Sequence, residues 1–380
     1  MNTYRKKQRV LLVTDFFYPH WTGIAKSVFS LTKALQDVFA ITVLTVRFDK
    51  NLKQKEKVDD ISIIRSDYLL TVSRSKYSFM IIVDFLRLVG KTDCVLINSP
   101  SANIVVFSIL TKIFGKRLII FHQGDLILPH GFHNRIIEKI FDFSCYVSFS
   151  LADKVATYTS DYAKHSRVIK PFLTKFTPVL LPISIEKKEQ RILPVIEKFT
   201  RQNKIVFGFA GRFVEEKGFD ILFRAIPLVM EQLPNAHFVI AGQEMQYEDF
   251  FGKNKALFES VKNHLTFLGL LNGKELQQFY SGIDCIVVPS RSDCFNLVQA
   301  EAMLCGTPAI VSDIPGLRYL VKESGFGMTF KSESSESLAE AIVACSNKKQ
   351  SIMKNEKKLR ELLDNEQIIL HAKKFIAFPK

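Results

Sequence analysis

Short apolar runs alternate with segments of helical length along the whole chain. In the first half, residues 10–16, 41–46, 61–64, 94–98, 118–122, 154–158 and 179–181 read as strands. Helical patterns near 24–37, 76–90, 101–114, 134–151 and 160–169 separate them. These strands are near-continuous apolar runs, the pattern of a parallel sheet covered by helices on both faces. Residues 183–203 are rich in Lys, Glu and Gln and read as a linker. The alternation restarts at 205–210, 237–241, 265–268, 285–288 and 309–312, with helical patterns near 218–232, 247–262, 273–280, 297–304 and 335–346. Two successive βα series predict an α/β protein of two Rossmann-like, doubly wound lobes. The expected boundaries are 1–185 for the N-terminal lobe, 186–203 for the linker and 204–346 for the C-terminal lobe. Residues 347–380 form a polar helical segment, a candidate to pack back on the N-terminal lobe. Open parallel sheets bind ligands beyond the carboxyl ends of their strands. A central cleft between two facing lobes is therefore the expected site.

Composition narrows the class. With 380 residues, 47% apolar and 24% charged, the chain suits two globular domains and neither disorder nor a repeat array. No apolar stretch approaches the ~18 uninterrupted residues of a spanning helix. Asp84 and Arg87 cut 79–89, and Lys112 and Gly115-Lys116-Arg117 cut 104–121. The early apolar run 10–13 follows basic residues but stops at Asp15, too soon for a signal peptide, so a cytoplasmic protein is expected. None of the six cysteines stands in a CxxC pair, which argues against zinc or a disulfide framework. The charge is uneven. Residues 1–190 hold 28 Lys+Arg against 16 Asp+Glu, and the rest hold 24 against 22. A basic first lobe fits an anionic partner: a lipid surface, an anionic acceptor or nucleic acid. Plain solubility charge explains it as well.

The chain contains no GxGxxG, GxSxG or P-loop, and no Asp-x-Asp pair to hold Mg²⁺ on a diphosphate. Phosphate charge would then fall to basic side chains and helix termini. Such groups follow the strand at 205–210, as Gly211-Arg212-Phe213 and Glu215-Glu216-Lys217-Gly218. Glycine allows close backbone approach, Arg212 can grip a phosphate with two prongs, and Lys217 adds a point charge. Solvated surface cations at a strand-to-helix turn would look the same. A second segment follows the strand at 285–288: Pro289-Ser290-Arg291-Ser292-Asp293-Cys294-Phe295-Asn296-Leu297-Val298-Gln299-Ala300-Glu301-Ala302-Met303, then Gly306-Thr307-Pro308. It reads as a strand, a loop with one carboxylate, and a helix with another two turns on. A helix N-terminus near 295–297 offers amides to hydroxyl or phosphate oxygens. Two carboxylates without a metal suit recognition of a polyol. The plainer account makes Asp293 a helix cap and Glu301 a surface residue.

Residues 289–308 resemble the signature of the glycosyltransferase group 1 superfamily, the retaining GT-B enzymes of glycosyltransferase family four. Its pattern is Glu, seven residues, Glu, with Phe-Gly after the first acid. The 211–218 segment is similar to that family's phosphate-binding turn. In the first lobe, Phe16-Tyr18-Pro19-Trp21-Gly23-Ile24 and His122-Gln123-Gly124-Asp125 are similar to its loops. The resemblance implies a donor nucleotide-diphosphate-sugar, no cofactor and no metal. On matching positions it implies that Arg212 and Lys217 neutralise the leaving diphosphate and that Glu301 binds ribose hydroxyls. It implies further that Asp293 and the backbone at Phe295, Asn296 and Leu297 hold the transferred sugar. Gly211 and Gly23 let their loops approach the phosphates, and His122 lies near the donor sugar and the acceptor. Four departures stand out. Asp293 is one methylene shorter than the usual Glu, Asn296 stands where Gly is common, Ala241-Gly242-Gln243-Glu244 lacks a second glycine, and Leu181-Pro182-Ile183-Ser184 stands for the family's Pro-Asn-Gly.

The implied reaction is front-face transfer with retention, without an enzyme nucleophile, to an acceptor hydroxyl. The acceptor expected is a glycan or lipid-linked precursor of a surface polysaccharide. Basic and aromatic residues mixed over 74–91 and 107–121 suit peripheral contact with an anionic membrane at its cytoplasmic face. Helices packed on a sheet with solvated charges outside would read alike. Two other readings remain: a catalytically impaired GT-B scaffold subunit, and another GT-B activity such as a phosphorylase or nucleotide-sugar epimerase. No nucleic-acid-binding module is recognisable.

Overall fold

The computed structural model describes residues 7–68, 70–72, 75–128, 131–183, 185, 191–243 and 249–377. The chain forms two compact units, Met1–Pro182 with Asn365–Lys380, and Ile183–Asp364.

In the first unit the strands are β1 (Gln8–Val13), β2 (Phe39–Val46), β3 (Lys55–Val58), β4 (Ile61–Ser66), β5 (Leu70–Val72), β6 (Ser75–Tyr77), β7 (Cys94–Ser99), β8 (Arg117–His122), β9 (Lys154–Thr157) and β10 (Phe176–Pro178). Eight of them form one sheet in the order β10-β9-β8-β7-β1-β2-β4-β3, while β5 and β6 pair separately. Neighbours in the eight-stranded sheet run parallel except for β3 against β4, and β5 and β6 are antiparallel. The apolar residues of β1 and β7 are buried on both faces, as a helix-covered sheet demands. Helices Met80–Val89, Ile104–Ile113 and Phe132–Leu151 pour Phe85, Phe107 and Phe149 into one shared core.

The strand expected at 179–181 lies three residues earlier, at β10. Val179 only extends its pairing, through its amide to the Thr157 carbonyl at 2.8 Å. The sequence reading also missed β3, β5 and β6, which are short or polar.

The second unit holds β11 (Ile205–Ala210), β12 (Ala236–Ala241), β13 (Leu265–Gly269), β14 (Cys285–Val288), β15 (Ala309–Ser312) and β16 (Gly327–Phe330). All six are parallel, in the order β13-β12-β11-β14-β15-β16. The expected linker 186–203 needs correction. Pro194–Arg201 is a helix of this unit that packs on β11, with Ile196 fully buried. Ile192, Ile196 and Phe199 fall at helical spacing, and the charged residues around them hide that stripe from a compositional reading.

The segment 347–380 divides. Helices Lys349–Met353 and Glu356–Leu362 stay with the second unit, where Arg360 donates to the Leu304 carbonyl at 3.0 Å. Helix Asn365–Ile376 joins the first unit and buries Ile368, Ala372 and Phe375. Arg117 holds its end by donating to the carbonyls of Ile376 at 2.6 Å and Ala377 at 2.7 Å. Among the described residues no helix is long and apolar enough to cross a membrane.

Candidate functional site

The strand order of the second unit reverses between β11 and β14. At such a switch point the two following loops diverge and leave a crevice beyond the carboxyl ends of the strands. The two segments singled out in the sequence are the loops that follow β11 and β14.

Close backbone contacts lock these loops together. Gly218 adopts φ +69°, and a Cβ there would sit 2.0 Å from the Pro289 carbonyl oxygen, so only glycine lets the two loops touch. Gly242, at φ +146°, meets the Gly211 carbonyl in the same way, with a Cβ distance of 1.8 Å. Arg291 adds a polar clamp. Its amide donates to the Glu216 carbonyl at 2.8 Å, and its guanidinium reaches the Glu215 carbonyl at 2.7 Å. The same guanidinium grips both oxygens of Asp220 at 2.8 Å each. Burial works to raise the Asp220 carboxyl, but the hydrogen bonds and charge of Arg291 and Arg224 hold it below the usual range.

This clamp sets Lys217 beside Asp293. The ammonium lies 2.8 Å from the carboxylate, with the two side chains 18% and 13% exposed. Burial would lower the lysine, yet the Asp293 charge outweighs it and the pKa lies above the ordinary value. Asn296 donates to the same Asp293 oxygen at 2.8 Å. Its own side-chain oxygen accepts the Gln299 amide at 2.8 Å, which makes Asn296 the cap of helix Leu297–Leu304. The capping role open to Asp293 thus falls to Asn296. Phe295 is buried beside it, and the first-turn amides of that helix lack intrahelical acceptors. Arg212 pairs with Glu216 at 2.8 Å and remains 44% exposed, so this contact is screened by water and the guanidinium is accessible.

Glu301 is not a surface residue. It is 6% exposed and accepts the Tyr280 hydroxyl at 3.2 Å. Burial, and then the Glu301 charge, keep the Tyr280 phenol protonated well above its ordinary pKa. Lys217, Asp293 and Asn296 thus form one contact network, Arg212 adjoins it through Glu216, and Glu301 follows on the helix Asn296 caps. Sequence reasoning missed Tyr280, Asp220 and Arg291. For Arg291 a signal existed, a cation two residues before Asp293. Among the described residues no three His, Cys, Asp or Glu side chains gather as metal ligands.

The first unit has its own reversal, between β1 and β7. There Asp15 accepts the Ser101 hydroxyl at 2.8 Å and the Ala102 amide at 3.2 Å. Burial pushes its carboxyl up to about 6, against the pull of these two hydrogen bonds. A carboxyl raised on folding contributes stability that is complete below about pH 4 and is lost as pH rises through 6. In urea melts, wild type should therefore lose stability relative to Asp15→Asn between pH 4.5 and 7. A pH-independent gap between the two proteins would show that Asp15 titrates normally.

A polar ladder runs along the same carboxyl edge. The Asn98 amide donates to Thr14 at 3.1 Å, Gln123 donates to Asn98, and the Tyr158 hydroxyl donates to Gln123 at 2.8 Å. Gly23 opens helix Gly23–Leu35 behind its cap Thr22, and a Cβ there would meet nothing within 4 Å. The unit's own packing does not require that glycine.

His122, expected near the donor sugar and the acceptor, is fully buried, with Nδ1 3.0 Å from the Ser99 hydroxyl and Nε2 3.1 Å from Asp125. Asp125 also accepts the Ser166 hydroxyl at 2.6 Å and the Arg167 amide at 2.8 Å. Burial would raise Asp125, but His122 and these donors hold it low. With both ring nitrogens engaged, His122 braces the loop after β8.

Comparison with known proteins places this geometry. Residues 195–366 match the family model described as glycosyl transferases group 1. A glycosyltransferase of Methanocaldococcus jannaschii, itself uncharacterized, is 34% identical over 131 residues, 34% of this chain and 33% of its own. The chain thus spans about a third of that relative. A 41.2 kDa protein from the cps region of Klebsiella pneumoniae is 23% identical over 323 residues, 83% of this chain and 76% of its own. Among solved structures, HepE of Anabaena in complex with UDP superposes with a TM-score of 0.73 at 18% identity, covering 97% of each chain. The two units have the GT-B fold, and the second of them is the part of the chain that resembles the group 1 glycosyl transferases.

Proposed function

We propose that this protein transfers a sugar from a nucleotide-diphosphate-sugar to an acceptor hydroxyl, without a metal and with retention at the anomeric carbon. The observation that carries the reading is the Lys217–Asp293 contact at the β11/β14 switch point, with accessible Arg212 alongside and buried Glu301 on the next helix. Lys217 and Arg212 supply positive charge where a diphosphate would gain negative charge on leaving. Asp293 and the first-turn amides of helix Leu297–Leu304 address sugar hydroxyls, and Glu301 addresses the ribose. The bond from the anomeric carbon to the phosphate oxygen breaks, and one to the acceptor oxygen forms on the same face. The acceptor proton passes to the departing phosphate, so no enzyme nucleophile is needed. HepE, solved with UDP and with UDP-glucose, supports a uridine donor as the first to test. The acceptor we assign to lipid-linked or surface-polysaccharide precursors, on the strength of the basic first half of the chain.

A thermal-shift panel of nucleotide-sugars in excess EDTA tests this reading. A donor at 100 times its Kd stabilises the folded state by about 2.7 kcal/mol, so one member should raise Tm by several degrees with the chelator present. No shift with any nucleotide-sugar, or one that EDTA removes, would overturn donor binding or metal independence respectively.

A further inference from the structure

We propose that the outer face of the first unit's three-helix layer docks onto an anionic lipid bilayer. Helix Phe132–Leu151 is apolar on two sides. Cys145 and Phe149 face the shared core. On the opposite side Phe132, Ile136, Ile140 and Phe143 recur every four, four and three residues, which aligns them in one stripe. They are 76%, 41%, 62% and 69% exposed. The stripe has neighbours. Helices Met80–Val89 and Ile104–Ile113 share that core and pack side by side, and they too turn apolar residues outward, Val83 38% and Leu86 41% exposed on one, Ile109 43% and Ile113 71% on the other. Exposed apolar residues scattered singly are ordinary, but rows of them on each of three helices that share one core mark a contact surface.

Charge selects the occupant. Arg135 and Lys139 are exposed on the flank of the Phe132–Phe143 stripe. The half of the chain that holds this layer carries 28 Lys+Arg against 16 Asp+Glu. A second copy of the chain would bring like charges together, whereas anionic headgroups meet them with opposite charge while the apolar stripe enters the acyl boundary. The inference deepens the proposed function, because a bilayer surface presents a lipid-linked acceptor to the unit that would receive it. The stretches 74–91 and 107–121, which the sequence marks for lipid contact, overlap two helices of this face, and the longest exposed stripe is on 132–143.

Sedimentation of the full chain with phosphatidylcholine vesicles, with and without phosphatidylglycerol, tests the docking. Binding should require phosphatidylglycerol and weaken with salt. Phe132→Ser with Phe143→Ser should cut partitioning about tenfold or more while Tm and the nucleotide-sugar thermal shift stay unchanged. Arg135→Glu with Lys139→Glu should erase the preference for phosphatidylglycerol. Wild type that stays in the supernatant with both vesicles would overturn the proposal. So would a dimer in light scattering that the serine pair dissolves without any vesicle binding, which would give the face to a second copy. Neither result touches donor binding, which the thermal shift reads separately.

Discussion

Lys217→Ala is expected to lower kcat by about 10²–10³-fold, the usual cost of removing one preorganised group that stabilises developing charge. The variant also leaves Asp293 without its ion-pair partner in a site where both side chains are mostly buried, so Tm should fall as well. That confounding effect has a remedy. Lys217→Ala combined with Asp293→Asn removes the stranded charge, and Asn296 can still hydrogen-bond to the new amide. The double variant should regain Tm and not kcat. Recovery of both would mean that the pair merely ties two loops together, and the assignment of Lys217 to the leaving group would fall.

Glu301→Ala should be as severe, but in a different parameter. A carboxylate that accepts two ribose hydroxyls contributes about 1.5–3 kcal/mol for each charged hydrogen bond. Its loss therefore predicts a fall in kcat/KM for the donor of about 10²–10⁴-fold, carried chiefly by KM. Tyr280→Phe removes only the phenol that orients Glu301 at 3.2 Å, and should cost about tenfold or less. A donor lacking the ribose hydroxyls supplies the decisive control. Against it Glu301→Ala and wild type should behave alike, because the partners are already missing. A full Glu301→Ala defect with that donor would show that the carboxylate serves the fold rather than the nucleotide.

The fold was legible wherever burial is complete. β1, β7 and β14 are runs whose apolar residues are hidden on both faces, as are the four central residues of β11, and an apolar run is the one strand signal that needs no partner to be recognised. The elements missed have mixed surroundings. Polar β3 sits at a sheet edge, and half-buried β16 has only its last residue fully covered. Helix Pro194–Arg201 anchors through Ile196 amid charged neighbours. In the candidate site, Arg212, Lys217, Asp293 and Glu301 could be named from the two segments because each stands in a distinctive local string. Their partners could not. Asp220 and Arg291 are 71 residues apart, and Tyr280 and Glu301 are 21 apart. The first pair become neighbours only when β11 and β14 lie side by side, and the second only when the helices before and after β14 pack together. His122 shows the opposite limit. Its loop drew attention to it, but only coordinates reveal that Ser99 and Asp125 occupy both nitrogens.

Helix Asn365–Ile376 makes the first unit discontinuous in sequence, and that bears on how the protein is made. During synthesis residues 183–364 leave the ribosome as an unbroken block and can finish folding first. The first unit stays incomplete, its helix Gly23–Leu35 uncovered on one side, until Ile368, Ala372 and Phe375 emerge to pack there. A fragment ending at Asp364 would hold a whole second unit and an unfinished first one, so it should recruit chaperones through the half that was translated earliest.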